Sequence, residues 1–146
     1  MSIDIDKESG ALVVSGEVIS NNLDEVDFAH SSLGSGAVRA VFDNRWVIYR
    51  RIKIENGGLV FRFLDGKLAE VDLAFADMAS GWGCWSEDRE AFAKSLHDQW
   101  LVRHLGPPPY AFEWGDVQSV HDPKAGGSQI VVRYRRKATV SGALQG

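Results

Sequence analysis

The longest periodic pattern in the chain runs from Ser86 to Leu105, where apolar residues recur every four positions. That spacing places them on one stripe of an α-helix. Ser86 is suited to cap the first turn, and Gly106 followed by Pro107 is a typical helix end. The pattern therefore predicts one long helix over residues 86–105. The residues of its apolar stripe and their neighbours are Phe92, Ala93, Leu96, Trp100, Leu101 and Leu105.

Most of the remaining chain alternates apolar and polar residues with the period of two that is typical of β-strands. Asn56-Gly57 and Asp65-Gly66 are strong signals for two-residue hairpin turns, because both central positions of such a turn need positive φ. The strands beside these turns should form an antiparallel meander. The predicted strands lie at 38–42, 46–54, 59–63, 71–75, 112–120 and 130–134, after a short hairpin at 12–19.

The strand predicted at 46–54 has an irregular pattern. Arg50 interrupts its apolar face, and a sheet edge, a β-bulge or a buried carboxylate would each explain a cation there. The residues expected on that face are Trp46, Ile48, Ile52 and Ile54. In the next strand, Leu59, Phe61 and Phe63 are expected to point inward.

A second, shorter helix is predicted near the amino terminus. Asn22 followed by Glu25 has the spacing of a capping box, which indicates one or two turns of helix through Phe28. Leu23, Val26 and Phe28 would supply its apolar contacts. The Ser- and Gly-rich stretch 31–36 is expected to be a loop.

Length and composition favour one domain. The 146 residues are 45% hydrophobic, which is enough to bury a core without a second domain. The predicted fold is α+β, with a mainly antiparallel sheet of hairpins packed on one long helix, plus the short N-terminal helix. Residues 1–146 form this domain, and its ends at 1–10 and 137–146 are expected to be flexible.

Charge and cysteine content narrow the functional classes. The formal net charge of −4 argues against nucleic acid, whose binding requires cations that neutralise phosphates, and is compatible with a basic protein partner. Cys84 is the only cysteine, so no intrachain disulfide can form, and a cytoplasmic location is expected. The amino terminus lacks a signal-peptide pattern, and no apolar run is long enough to cross a bilayer.

Cys84 carries the main catalytic hypothesis, because it directly precedes the predicted long helix, whose amino-terminal dipole would lower the thiol pKa. Cys84-Trp85 resembles the nucleophile segment of papain-like cysteine proteases, although Gly81 stands where that family has a second cysteine. The order of cysteine, helix and a strand bearing His121 is similar to bacterial cell-wall cysteine amidases. These resemblances imply His121 as base and Asp122 or Asp116 as its orienter. Burial beside tryptophans is the commoner state of a lone cysteine.

The other polar residues predict no cofactor and no metal site. His97 and His104 lie two helical turns apart, about 10 Å, which is too far to share one ion. All four histidines are therefore expected at the surface or half-buried. Glu70 and Asp72 share one strand face, where they are expected to be solvated beside Arg62, although a carboxylate pair also suits acid–base catalysis.

The overall pattern resembles small bacterial proteins encoded beside toxins, including immunity proteins. Trp100-Leu101 followed by Leu105-Gly106-Pro107 is also similar to half of the β-lactamase-inhibitor-like fold. Both resemblances imply a non-enzymatic module that inhibits a toxin or enzyme by binding it. The expected partner-binding residues are Trp82, Trp85, Glu70 and Asp72, with Trp82 and Trp85 as aromatic anchors.

Two other functions stay open on the sequence. One is the cysteine hydrolase or amidase that would use Cys84 and His121. The other is a carrier of a small ligand, with a pocket between sheet and helix lined by Trp46, Phe61 and Trp100.

Overall fold

The protein has the α+β fold class that its sequence predicts. The computed structural model describes residues 3–54, 57–75, 87–122 and 127–135. The strands are β1 (Ile3–Ile5), β2 (Leu12–Val14), β3 (Glu17–Ile19), β4 (Val38–Phe42), β5 (Trp46–Ile54), β6 (Gly57–Leu64), β7 (Lys67–Phe75), β8 (Ala111–Phe112), β9 (Gly115–Asp122) and β10 (Gly127–Tyr134). The helices are α1 (Glu25–Ala29), α2 (Ser32–Ser35) and α3 (Glu87–Leu105).

Seven of the strands form one antiparallel sheet in the order β4-β5-β6-β7-β10-β9-β8. The first four strands are consecutive hairpins, so the predicted meander is confirmed. At the β6–β7 turn, Asp65 and Gly66 have φ of 50° and 84°, the positive values that such a turn requires. Strands β4 and β8 are the two edges of this sheet.

A β-bulge in β5 overturns the predicted face of that strand. The register shifts between Tyr49 and Ile52, and Arg51 has a φ of 64°. Because one extra residue reverses the alternation, Tyr49, Ile52 and Ile54 are buried on one face. Trp46 and Ile48 pair with Leu64 and Arg62 and lie on the opposite face. The bulge is thus the explanation for the interruption at Arg50.

Helix α3 begins and ends within one residue of the predicted range, but its most buried line differs from the prediction. His97, Leu101 and Leu105 are buried, whereas Leu96 and Trp100 are only half-buried. The buried stripe is therefore displaced by one position, and His97 is not the surface or half-buried residue expected. The helix contacts β7, β9 and β10. No helix in the described ranges is apolar enough over a sufficient length to cross a membrane.

Helix α1 begins later than the capping-box pattern predicts. Its N-cap is Asp24, without a side-chain cap, while the Asn22 amide oxygen instead accepts a hydrogen bond from Ser20 Oγ at 2.8 Å. Phe28 is fully buried as expected, but Val26 is 65% exposed. Glu25 faces Tyr49 rather than the helix end, because a hydrogen bond from the Tyr49 hydroxyl holds its carboxylate.

Two segments predicted to be irregular are ordered. Ser32–Ser35 form one helical turn, α2, because Ser31 Oγ accepts a hydrogen bond from the Gly34 amide at 3.1 Å. Ile3–Ile5 form β1, although residues 1–10 are expected to be loose. Strands β1, β2 and β3 make a separate three-stranded sheet, and Trp100 Nε1 donates to the Ile3 carbonyl at 3.3 Å.

The core lies on one side of the seven-stranded sheet, which we call the inner face. Phe28 of α1 packs on Phe61 and Phe63 of β6, and Leu101 of α3 belongs to the same buried cluster. The small N-terminal sheet adds Leu12 and other apolar side chains to it. Among the described elements, the three helices and the small sheet all lie on the inner face. We call the opposite side of the sheet the outer face.

Candidate functional site

A row of alternating charges crosses the outer face. The strand register places Arg62 of β6 opposite Glu70 of β7, Glu70 opposite Arg133 of β10, and Arg133 opposite Asp116 of β9. Side chains directly opposite on one face are close enough to interact, and opposite charges there are stabilising. We call this line of four residues the charged row. It forms because three strand pairings bring Glu70, Asp116 and Arg133 into register with Arg62, although they lie 8, 54 and 71 positions from it in sequence.

Arg62 is the centre of the strongest contacts in this region. Its Nε lies 3.1 Å from Glu70 Oε2, and both its Nε and its Nη2 lie 3.0 Å from Asp72 Oδ2. Arg133 Nε reaches the other oxygen of Glu70 at 3.4 Å. Asp72 itself is only 5% exposed, so the prediction of a solvated carboxylate is wrong for this residue. Arg62 is the ion-pair partner of this buried carboxylate.

The two carboxyl groups on β7 are too close to ionise independently. Burial, a hydrogen bond with Asp72 and the charge of Asp72 raise the pKa of Glu70 to about 7, although Arg62 and Arg133 act in the opposite direction. A hydrogen bond between two carboxyl groups requires a proton on one of them. The charge of this surface therefore changes near neutral pH, when Glu70 loses its proton.

This raised pKa predicts a pH-dependent stability. The folded state holds a proton on Glu70 that the unfolded state releases near pH 4.5, so this stabilisation is complete below pH 4.5 and is lost as the pH rises through 7. Between pH 5 and pH 8 the wild type should therefore lose about 2 kcal/mol of unfolding free energy that Glu70→Gln does not lose, because glutamine has no proton to release. Urea unfolding at both pH values measures this difference.

A matched control variant tests whether Glu70 is the source of this pH dependence. Glu113 is exposed in the turn between β8 and β9, and Glu113→Gln should leave the pH profile of wild type unchanged. Comparison with wild type is needed because other groups also titrate. Burial lowers the pKa of His104 despite the nearby Asp4, and that shift makes stability rise with pH. Parallel pH profiles for wild type and Glu70→Gln would contradict the assignment.

An apolar patch lies beside the charged row, towards the β4 edge. Phe42 pairs with Trp46, and Trp46 pairs with Leu64, so these three side chains form one line across β4, β5 and β6. Ile48 lies next to them, opposite Arg62. Phe42 is 47% exposed and the other three are half-buried. We call these four residues the apolar patch. The β5 bulge creates it, because the bulge directs Trp46 and Ile48 away from the core.

A groove of about 440 Å³ lies on the other side of the charged row. Asp72 lines it, and its Oδ1 is buried without a hydrogen bond from any N–H or hydroxyl donor in the described ranges. A buried acceptor in this state is costly unless a donor reaches it. The residues that line the groove from the outer face are Lys53, Gly58, Val60, Asp72, Ala74 and Gln129.

The structure brings together only part of the predicted site. Glu70 and Asp72 lie side by side with Arg62, as their strand spacing indicates. Trp82, Trp85 and Cys84 lie outside the described residues, so the aromatic anchors and the nucleophile stay predictions. His121 and Asp122 are at the end of β9, and their side chains also lie outside the described part. Sequence reasoning missed Arg133 and the apolar patch, since only long-range pairing and the bulge reveal them.

The pocket predicted for a small-ligand carrier is wrong. Phe61 is buried on the inner face, whereas Trp46 lies on the outer face, so the sheet separates the two side chains. Trp114 is also buried, and its Nε1 donates to the Lys7 carbonyl at 2.8 Å, which fixes the N-terminal segment on the core. The described residues contain no group of three or more histidine, cysteine or acidic side chains arranged to hold a metal ion.

Comparison with known proteins gives a likeness of fold. No protein-family model matches the chain, and no curated protein matches its sequence. Among solved structures, a similar chain occurs in one described as Rhs1-CT in complex with cognate immunity protein RhsI1. The two chains are 13% identical with a TM-score of 0.55, over 92% of this chain and 88% of the other. The resemblance to proteins of toxin–immunity systems is therefore confirmed for the fold.

Proposed function

We propose that this protein is a non-enzymatic binding module of the immunity type, which neutralises a toxin or enzyme by binding it. The observation that carries the proposal is the fold shared with a chain from a toxin–immunity complex over most of both chains. A protein of this kind needs a shaped and charged surface rather than a nucleophile and a base. We place it in the cytoplasm of a bacterial cell in this proposal. A chain with one cysteine forms no intrachain disulfide, so its fold does not depend on an oxidising compartment.

The outer face has the composition of a protein interface. Tryptophan and arginine are enriched at the energetic centres of such interfaces, and here Trp46 and Arg62 lie on neighbouring strands. Trp82 and Trp85 stay part of the proposal as aromatic anchors. Because ion pairs with Glu70 hold Arg62 and Arg133 in place, little side-chain entropy is lost when a partner binds there.

Arg51, Lys53 and Asp72 are the charged residues that line the groove, and Asp72 favours a partner that brings a hydrogen-bond donor. Asp72 Oδ1 lacks an N–H or hydroxyl donor within the described part of the chain, and a lysine or arginine side chain entering the groove would supply one. The net charge of −4 would also accelerate encounter with a basic surface. Glu70 and Asp72 are thus the proposed partner-binding carboxylates, together with Trp82 and Trp85.

The test of function is neutralisation of a toxin. The chain is expressed in bacteria together with the toxin domain encoded beside its gene, and growth is compared with that of cells expressing the toxin alone. We expect restored growth and a stable complex of the two purified proteins on size exclusion. Restored growth without a complex, or a complex that leaves the toxin active, would contradict neutralisation by binding.

Substitution of the proposed anchors should weaken the complex. Trp82→Ala combined with Glu70→Lys removes an aromatic anchor and reverses a charge, so we expect the dissociation constant to rise at least about 100-fold. Isothermal titration calorimetry with the purified toxin domain measures it. Glu113→Lys makes the same charge reversal in an exposed turn and should change affinity little. If thermal unfolding shows both proteins folded and their affinities are equal, another surface binds the toxin.

A further inference from the structure

The β4 edge of the large sheet is open and apolar. Within the described ranges, β4 has a neighbouring strand on one side only, so its other side presents unpaired backbone groups. Its side chains are also accessible, since Val38 is 42%, Val41 50% and Phe42 47% exposed. An exposed apolar edge of this kind is a template for another strand.

The opposite edge of the same sheet is protected. Strand β8 has only two residues, Ala111 and Phe112, and follows three consecutive prolines at 107–109. Short edge strands and neighbouring prolines are two common ways in which proteins prevent strand addition. The sequence thus blocks pairing at one edge and leaves five residues available at the other.

We propose that β4 pairs with β4 of a second copy of this chain, antiparallel about a two-fold axis at Ala40. In this register Val38 lies opposite Phe42 of the second copy, and Arg39 lies opposite Val41. Ala40 meets its own equivalent, where a small side chain avoids a clash. The arrangement is self-complementary because no two like charges lie opposite each other, as a symmetric interface requires.

The charges that flank β4 complement each other in the same register. Asp43 follows Phe42, and Arg50 pairs with Val38 on β5. Arg50 and Asp43 are both exposed, and neither has an ion-pair partner in the described part of the chain. Pairing places the backbone of Asp43 of the second copy two strand spacings, about 10 Å, from that of Arg50, so the opposite charges attract each other across the edge. Symmetry makes this attraction occur twice.

The paired state also extends the apolar patch of each copy. Phe42 lies in line with Trp46, so the Phe42–Val38 contacts join the two outer faces into one continuous surface. The charged row and the groove are farther from the edge and stay accessible. Dimer formation does not require the proposed toxin binding, and either can fail alone.

Complementary variants of the full chain test this register. Val38→Lys and Phe42→Glu each remove both symmetric Val38–Phe42 contacts, so each should raise the dimer dissociation constant at least about tenfold. Mixing the two variants restores one native contact and creates one lysine–glutamate pair. In sedimentation velocity at about 100 μM, we expect a wild-type dimer, two weakened variants and recovery of dimer in the mixture.

A variant elsewhere separates the edge from general effects of charge. Val102 is exposed on α3, and Val102→Lys should sediment as wild type does. A monomeric wild-type chain would overturn the proposal. Equal weakening by Val102→Lys, or variants that stay monomeric when mixed despite normal circular dichroism, would overturn it as well. If β4 variants of a monomeric chain lose toxin binding, the edge belongs to the toxin and not to a second copy.

Discussion

Arg62→Met is expected to lower the free energy of unfolding by about 2 kcal/mol at pH 8. The substitution keeps the apolar stem of the side chain but removes the cation that Asp72 and Glu70 share at 3.0 Å and 3.1 Å. Asp72 is buried, so loss of its partner leaves a carboxylate with neither water nor a counter-charge. At pH 5 the loss should be smaller, because protonated Glu70 then donates to Asp72. Urea unfolding at both pH values measures this.

Two further variants separate the pair from a general effect of losing an arginine. Arg45→Met removes one ion pair of Asp65, but that pair is exposed to solvent and its loss should change stability little. Adding Asp72→Asn to Arg62→Met should recover part of the loss, since a neutral amide needs no cation. A loss at Arg62 that is independent of pH and is not relieved by Asp72→Asn would show that packing, rather than charge, is responsible.

The part of the site that the sequence predicts is the part that alternation alone determines. Glu70 and Asp72 are two residues apart on a strand, so they share a face whatever the fold around them, and the tight turn at Asp65-Gly66 brings Arg62 beside them. Arg133 joins Glu70 only through the pairing of β7 with β10, which no local pattern indicates. The burial of Asp72 also depends on that long-range pairing.

The β5 bulge shows a second limit of predicting side-chain orientation from the sequence. Period two predicts faces only while the register continues, and one extra residue exchanges them. Arg50-Arg51 is the only local sign of the bulge, and the sequence alone leaves three explanations of it open. The consequence for the site is large, because the bulge directs Trp46 and Ile48 to the surface and Tyr49 to the core.

The differences at the helices and the amino terminus have one physical cause. Tertiary contacts outweigh weak local preferences. Ile3 and Ile5 alternate with aspartate, a pattern of only three residues, yet both are buried against the rest of the core. His97 lies on the buried line of α3, and because it is polar, the apolar pattern does not indicate that this line is the buried one. In α2, Gly34 approaches the Phe28 carbonyl so closely that a Cβ would lie 1.9 Å from it, which explains a glycine within that helical turn.

Phe28→Ala should be the most destabilising of the changes considered, by about 4 kcal/mol. Phe28 has no exposed surface, and its ring centre lies 4.6 Å from Phe61 and 4.9 Å from Tyr49. Truncation leaves a cavity between α1 and the sheet and removes the ring contacts with Phe61 and with Tyr49. Urea unfolding followed by tryptophan fluorescence should show a lower midpoint with an unchanged slope.

Val26→Ala is the control on the same helix, because Val26 is mostly exposed and its truncation should change stability by less than about 0.5 kcal/mol. Equal effects at the two positions would mean that helix propensity, and not packing, holds α1 in place. The comparison bears on the proposed interface as well. Phe28 supports the inner side of β5 and β6, and the outer side of these strands carries Trp46 and Arg62. Loss of Phe28 should therefore weaken toxin binding in proportion to the fraction of unfolded chain, whereas Glu70→Lys should weaken it in the folded protein.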